Sequence, residues 1–324
     1  MTTMLRMIAC AVFASALATV SVAQAQDNLK VMVFSGVQNM PIIVAQTKGF
    51  FTKRGLSVEV LNAPSSDALR NGLMEGKHQI VHGGIDNAIA MAEVAKADIS
   101  VLMGGDSAWN RLVVQGDIAS IKDLRGKTVI VDAPTTSYAF QVYEVLKRNG
   151  LNKGDYEVKA VGSTQKRYEA ITGDKTASAS ALNPPYSILA KRAGLKEMGE
   201  MVQIIGPLQT TACWTMKPWA SANADVVVRY IQAFVEGVRW TLDPANKDEA
   251  IDLAAARFKL ERDVAAEAYA IAADPKSGMA KDAKLDMDGL KTVLTLREDW
   301  SGVKPGTPDR YIDLSYYEKA LAGL

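Results

Sequence analysis

The stretch Pro41-Ile42-Ile43-Val44-Ala45-Gln46-Thr47-Lys48-Gly49-Phe50-Phe51-Thr52-Lys53-Arg54-Gly55-Leu56-Ser57-Val58-Glu59-Val60 changes its hydrophobic period halfway along. Proline suits a first helical turn, where its missing N–H is not needed, and glycine suits the residue that ends a helix. The first half therefore predicts a helix over 41–48 that stops at Gly49. After Gly55 the apolar residues alternate as Leu56, Val58 and Val60, the period of a strand with one buried face. A strand is predicted over 56–61.

Working outward, the same alternation of short strands and helices of about ten residues recurs. Strands are predicted at 29–34, 79–82, 99–103, 112–115, 127–131, 156–161 and 201–205. Helices are predicted at 68–74, 86–96 and 141–149, the last closed by Gly150. This order implies a parallel-type α/β sheet. After about residue 220 the pattern turns helical, with Val227, Tyr230, Ile231, Phe234 and Val238 on one face, and Ile251, Ala254 and Phe258 on another. The chain has no repeats and no long linker.

Composition excludes several functions. The 324 residues hold 37 Lys+Arg against 36 Asp+Glu, so no basic face is offered to nucleic acid. Two cysteines and two histidines are too few for a disulfide framework or a recurrent metal-ligand spacing. No cofactor is expected. Arg6 precedes an apolar run over Met7–Val22, and Ala23-Gln24-Ala25 follows with small residues at the peptidase positions. This reads as a secretory signal cleaved after Ala25, giving a monomer of about 299 residues in the periplasm. The alternative, a membrane anchor, has a run near the lower length limit, rich in Ala and Ser. Cys10 has too little apolar sequence before it for a lipoprotein cysteine, and Cys213 then stands alone.

Strand-to-helix junctions carry small polar residues: Ser35 to Gln38, Ser65-Ser66, Gly83 to Asn87, and Thr135-Thr136-Ser137. Such residues cap helices, and the N-termini they cap also attract anions. Gly105-Asp106-Ser107 resembles the start of a hydrolase motif, but a serine nucleophile needs a base, and both histidines lie upstream. An enzyme is not expected.

The quoted stretch resembles the signature of substrate-binding proteins of nitrate/sulfonate/taurine-type ABC importers, a group that includes binders of thiamine pyrimidine precursors. Leu73 to Ile80, Ile121 to Val129 and Asp309 to Leu321 resemble further elements of that family in order. The resemblance implies a two-lobed type II periplasmic-binding-protein fold, each lobe a mixed sheet flanked by helices, with the ligand in the interlobe cleft. It implies a first lobe of residues 26–112 and 206–324 and a second of 113–205. Carried over by position, Gln38, Ser65, Ser66, Asp86 and Asn87 would face the cleft from the first lobe, and Thr135, Thr136, Ser137 and Asn183 from the second. Trp214 would be an apolar wall. The implied partners are a small-molecule ligand and an inner-membrane permease with its ATPase, or alternatively a sensor kinase. No Arg or Lys lies within the junction loops, and Asp86 either faces the ligand or caps its helix. The expected ligand is a small organic anion, sulfonate or carboxylate; the alternative is a pyrimidine or an amine-bearing zwitterion.

Overall fold

The structure is a computed structural model that describes residues 26–106 and 109–324. The expected signal and Cys10, within 1–25, lie outside the described residues, as does Ser107. The chain opens with β1 (Asp27–Val33), α1 (Met40–Thr47), α2 (Phe50–Lys53), β2 (Leu56–Asn62), α3 (Ser66–Met74), β3 (Ile80–Gly84), α4 (Ile85–Glu93) and β4 (Ile99–Gly104). It continues with β5 (Arg111–Val114), β6 (Thr128–Val131), α5 (Ser137–Arg148), β7 (Glu157–Ala160), α6 (Thr164–Gly173), β8 (Ala177–Leu182), α7 (Tyr186–Arg192), β9 (Lys196–Glu200) and α8 (Met201–Ile205). After β10 (Thr211–Met216) come α9 (Lys217–Ala222), α10 (Ala224–Leu242), α11 (Lys247–Phe258), α12 (Arg262–Ala272), α13 (Met287–Ser301) and α14 (Ser315–Ala322).

Two five-stranded mixed sheets result, in the orders β2-β1-β3-β10-β4 and β7-β6-β8-β5-β9. Their topologies correspond. In each, three parallel strands are followed by one antiparallel strand that arrives from the other sheet: β10 pairs antiparallel to β3 and β4, and β5 to β8 and β9. The chain thus passes between the sheets twice, at 105–110 and at 201–210. Short connections of this kind position two sheets without a flexible tether.

Strands β3, β4, β5 and β8 are buried along their whole length, as strands covered on both faces must be. That burial explains two departures from the sequence reading. β8 is Ala-Ser-Ala-Ser-Ala-Leu, with no large alternating residues to announce it, and Ser180 Oγ satisfies itself on Ile130 O at 3.0 Å. β10 was likewise not predicted. The predicted strand at 201–205 is instead the helix α8, with Met201 and Ile205 on one buried face four residues apart. The helix predicted from 141 begins at Ser137, and the one predicted to 96 ends at Glu93.

One apolar cluster runs through both sheets. It joins Leu69, Val81, Ile85 and Ile89 of the first to Val114, Val129, Phe140 and Val142 of the second, with Leu290, Val293 and Leu296 of α13 between them. A second cluster packs β1, β3 and β10 against α1, α10 and α14. There α10 lies so close to α1 that a side chain at Gly237 would meet Pro41 O at 2.2 Å. Among the described residues no helix is long and apolar enough to cross a membrane.

Candidate functional site

The carboxyl ends of parallel strands and the starts of the helices that follow them meet between the two sheets, where α/β folds place ligands. The empty space of the cavity they line is about 680 Å³, open solvent included. From the first sheet come Phe34, Gln38 and Asn39 after β1, Ser66 at the start of α3, His82-Gly83-Gly84 at the end of β3, and Asn87 in α4. From the second come Asp132 after β6, Thr136, Ser137 and Tyr138 at the start of α5, Ser163, Thr164 and Arg167 around α6, and Asn183 after β8.

Six of the residues expected from the sequence line this cavity: Gln38, Ser66, Asn87, Thr136, Ser137 and Asn183. Four lie elsewhere. Ser65 caps α3, its Oγ accepting from Ala68 N at 3.2 Å. Thr135 is exposed outside the lining. Trp214 is fully buried in β10, a layer behind the cavity, with its ring edge against Gly83. The reason is the antiparallel register of β10 on β3, which turns that side chain into the apolar core between the sheets. Asp86 neither faces the cavity nor caps its own helix. One carboxylate oxygen accepts from Arg297 of α13 at 2.8 Å, and the other accepts from the backbone N–H of Ser137 at 3.0 Å. Asp86 therefore supports α5, a helix of the opposite sheet, from behind the cavity.

Several polar contacts cross the cavity. Asn183 Nδ2 donates to Gln38 Oε1 at 3.1 Å, and Ser66 Oγ donates to Asp132 Oδ2 at 3.2 Å. Asp132 Oδ1 accepts from Thr136 Oγ1 at 2.6 Å, while Thr136 Oγ1 caps α5 by accepting from Ala139 N at 3.3 Å. The Oδ1 of Asn183 is buried with no hydrogen-bond partner among the described residues. A buried acceptor left in that state is costly unless something else completes it.

The charged groups of the wall were not found by sequence reasoning. Arg167 is 2% exposed. Its guanidinium donates to Gly162 O at 2.5 Å, Ala181 O at 3.0 Å and Thr164 Oγ1 at 3.1 Å, and lies over the Tyr138 ring. No carboxylate sits within ion-pair distance of it among the described residues. Burial lowers the pKa of the guanidinium, and the nearby Asp132 charge opposes this. An arginine keeps its proton under such a shift. The missed signal is the spacing Ser163-Thr164-Gln165-Lys166-Arg167: a residue one turn inside a helix projects back toward the N-terminus, hence toward the junction.

The apolar part of the wall is aromatic. His82 stacks on Phe234 with ring centres 4.6 Å apart, and its Nε2 pairs with Tyr230 OH at 2.9 Å. Burial pulls the pKa of His82 down to about 3, so the ring is neutral at ordinary pH. Phe34 and Tyr138 complete the aromatic lining, and Gly83, Gly84 and Gly105 let the backbone approach. The arrangement can hold a planar organic group, with one cation and one carboxylate at its edges.

Comparison with known proteins agrees with this architecture. The chain is 22% identical over 237 residues to the riboflavin-binding protein RibY of Chloroflexus aurantiacus, covering 70% of this chain and 65% of that protein's length. The periplasmic nitrate-binding protein NrtA from Synechocystis PCC 6803 superposes with a TM-score of 0.77 at 15% identity, covering 92% of this chain and 89% of that one. The alkanesulfonate-binding protein SsuA from Xanthomonas axonopodis pv. citri, bound to MOPS, superposes with a TM-score of 0.70 at 16% identity, covering 87% and 96%. Residues 37–247, about two thirds of the sequence, match one family along their whole length, and the chain belongs to the NMT1/THI5-like family.

Proposed function

We propose that this protein is a periplasmic solute receptor that captures a small organic anion between two lobes and delivers it to an inner-membrane ABC importer. The lobes we assign are residues 26–112 with 206–324, and 113–205. The protein works as an exported monomer and needs no covalent step. Ligand bound to one lobe brings cross-cleft contacts such as Asn183 to Gln38 within reach, and the permease reads the closed form. The relatives named as binders of nitrate, alkanesulfonate and riboflavin support a receptor over an enzyme.

The observation that carries the ligand class is Arg167, a buried guanidinium in the cavity wall that no carboxylate pairs. A carboxylate or sulfonate on an unsaturated body would pair with it while the rings of Phe34, Tyr138 and Phe234 cover that body. Asp132 favours a second reading. Its carboxylate lines the same cavity and would accept from an amine or a pyrimidine N–H.

The test is a thermal-shift and calorimetry panel on residues 26–324. It holds nitrate, aliphatic and aromatic sulfonates and carboxylates, amino acids, pyrimidines and riboflavin. Ligand at 100 times its dissociation constant adds about 2.7 kcal/mol of stability, a visible rise in Tm. We expect shifts confined to organic anions, with compaction of the same complex in small-angle scattering. Shifts confined to pyrimidines or amines would establish the second reading. Turnover of a bound compound, or tight binding without compaction, would overturn the receptor.

A further inference from the structure

We propose that the cavity beside Arg167 is the head-group half of a larger site. A second cavity next to it takes the tail of the same solute, an aliphatic chain ending in an acidic group. This rests on the receptor reading and extends it. The second cavity has about 1150 Å³ of empty space, open solvent included, and is the roomier of the two. Asn39 lines both. Within the second cavity the hydroxyl of Tyr186 lies 3.2 Å from Ser35 Oγ and 3.4 Å from Gln165 Oε1, while Asn39, the residue shared with the first, donates its Nδ2 to Phe34 O of the first cavity at 2.5 Å.

The walls of the second cavity fit a hydrocarbon segment. Ile42 and Ile43 come from α1, Leu189 from α7, Phe258 from the end of α11, Leu260 from the turn after it and Val264 from the first turn of α12. The last turn of α11 and the turn that follows set Arg257 and Lys259 beside this apolar lining, together with one acid, Glu261. Neither cation has a carboxylate within ion-pair distance among the described residues. Lys259 also takes a left-handed backbone conformation, φ 54°, as the C-cap of α11. Glycine holds that conformation without strain. A tail that buries its methylenes against the aliphatic walls and ends in a carboxylate or phosphate would pair with these two cations. A solute without a tail leaves them in water.

The experiment is isothermal calorimetry on residues 26–324 with benzoate, 4-butoxybenzoate and 4-(3-carboxypropoxy)benzoate, which share one head and differ in the tail. We expect the tailed dianion to bind at least tenfold tighter than benzoate, with the butoxy compound between them. In Lys259→Gly the affinity ratio of the dianion to the butoxy compound should fall at least fivefold. The Tm of that variant should rise, because the strained cap is relieved. Three results would overturn the tail site. If benzoate binds and a tail weakens binding, the tail site fails while the receptor reading stands. A ratio unchanged in Arg257→Ala with Lys259→Gly does the same. If none of the three probes binds, the tail site falls, and the organic-anion reading falls with it only where the aliphatic and aromatic sulfonates and the aliphatic carboxylates of the wider panel are silent too.

Discussion

Arg167 makes three hydrogen bonds to the protein and still presents its charge in the cavity wall. Arg167→Lys keeps the charge but loses the planar fork that fixes its direction. We expect the folded variant to lose about 1.5–3 kcal/mol of affinity for an aromatic carboxylate, the usual worth of a hydrogen bond to a charged group, as read by calorimetry. His82 gives a prediction in pH. Its folded pKa, about 3, lies below the value near 6.5 of an unfolded chain, so the unfolded state binds more protons between those limits. Its contribution is fully present above about pH 6.5 and is lost progressively as pH falls toward 3. The slope is up to about 1.4 kcal/mol per pH unit. His78 is lowered by burial as well and acts in the same direction. His82→Gln should therefore flatten the fall of Tm between pH 7 and 5 relative to the parent; an unchanged slope would show that the ring titrates freely.

Helix contacts decide which small changes matter. At Gly237 an added Cβ would strike the backbone of Pro41, so Gly237→Ala forces α10 off α1 and should cost about 1–3 kcal/mol in denaturant melts. Gly173 ends α6 with nothing within 4 Å of an added Cβ, and Gly173→Ala should stabilise by about 0.5–1 kcal/mol. Thr136→Ala removes the cap of α5 and should cost about 1 kcal/mol of stability. These elements also show what the sequence made legible. Alternation disclosed β1 and β2, because those strands are buried on one side and keep a period; α1, buried at every residue from Met40 to Ala45, was disclosed by Pro41 at its start and Gly49 after its end. β8 and β10 lie mid-sheet, where burial on both faces erases the alternation. The polar junctions could be read because helix starts need oxygen-bearing side chains. Arg167 and Asp132 could not, because their place in the cavity depends on how the two sheets face each other. Asp86 illustrates the same limit: its partners lie 211 and 51 residues away in sequence.

The whole molecule has two sheets that share one apolar cluster. Because the cluster through α4, α5 and α13 joins both sheets, heating should give a single calorimetric transition whose van't Hoff and calorimetric enthalpies agree. An isolated fragment of residues 111–200 would expose the face that α4 and α13 cover, and should not fold. Two separate transitions would mean that this packing is lost before either sheet melts.

Cys213 gives this architecture a clock. It sits opposite His82 in the pairing of β10 with β3, wholly covered, and burial raises the pKa of its thiol far above the usual range. A chromogenic disulfide reagent can reach that sulfur only when the two strands part, so the labelling rate counts openings at the floor of the cavity. A bound solute that stabilises the folded sheet slows the count as its occupancy rises. Cargo strength then becomes readable as a delay in colour, with no tag on the cargo.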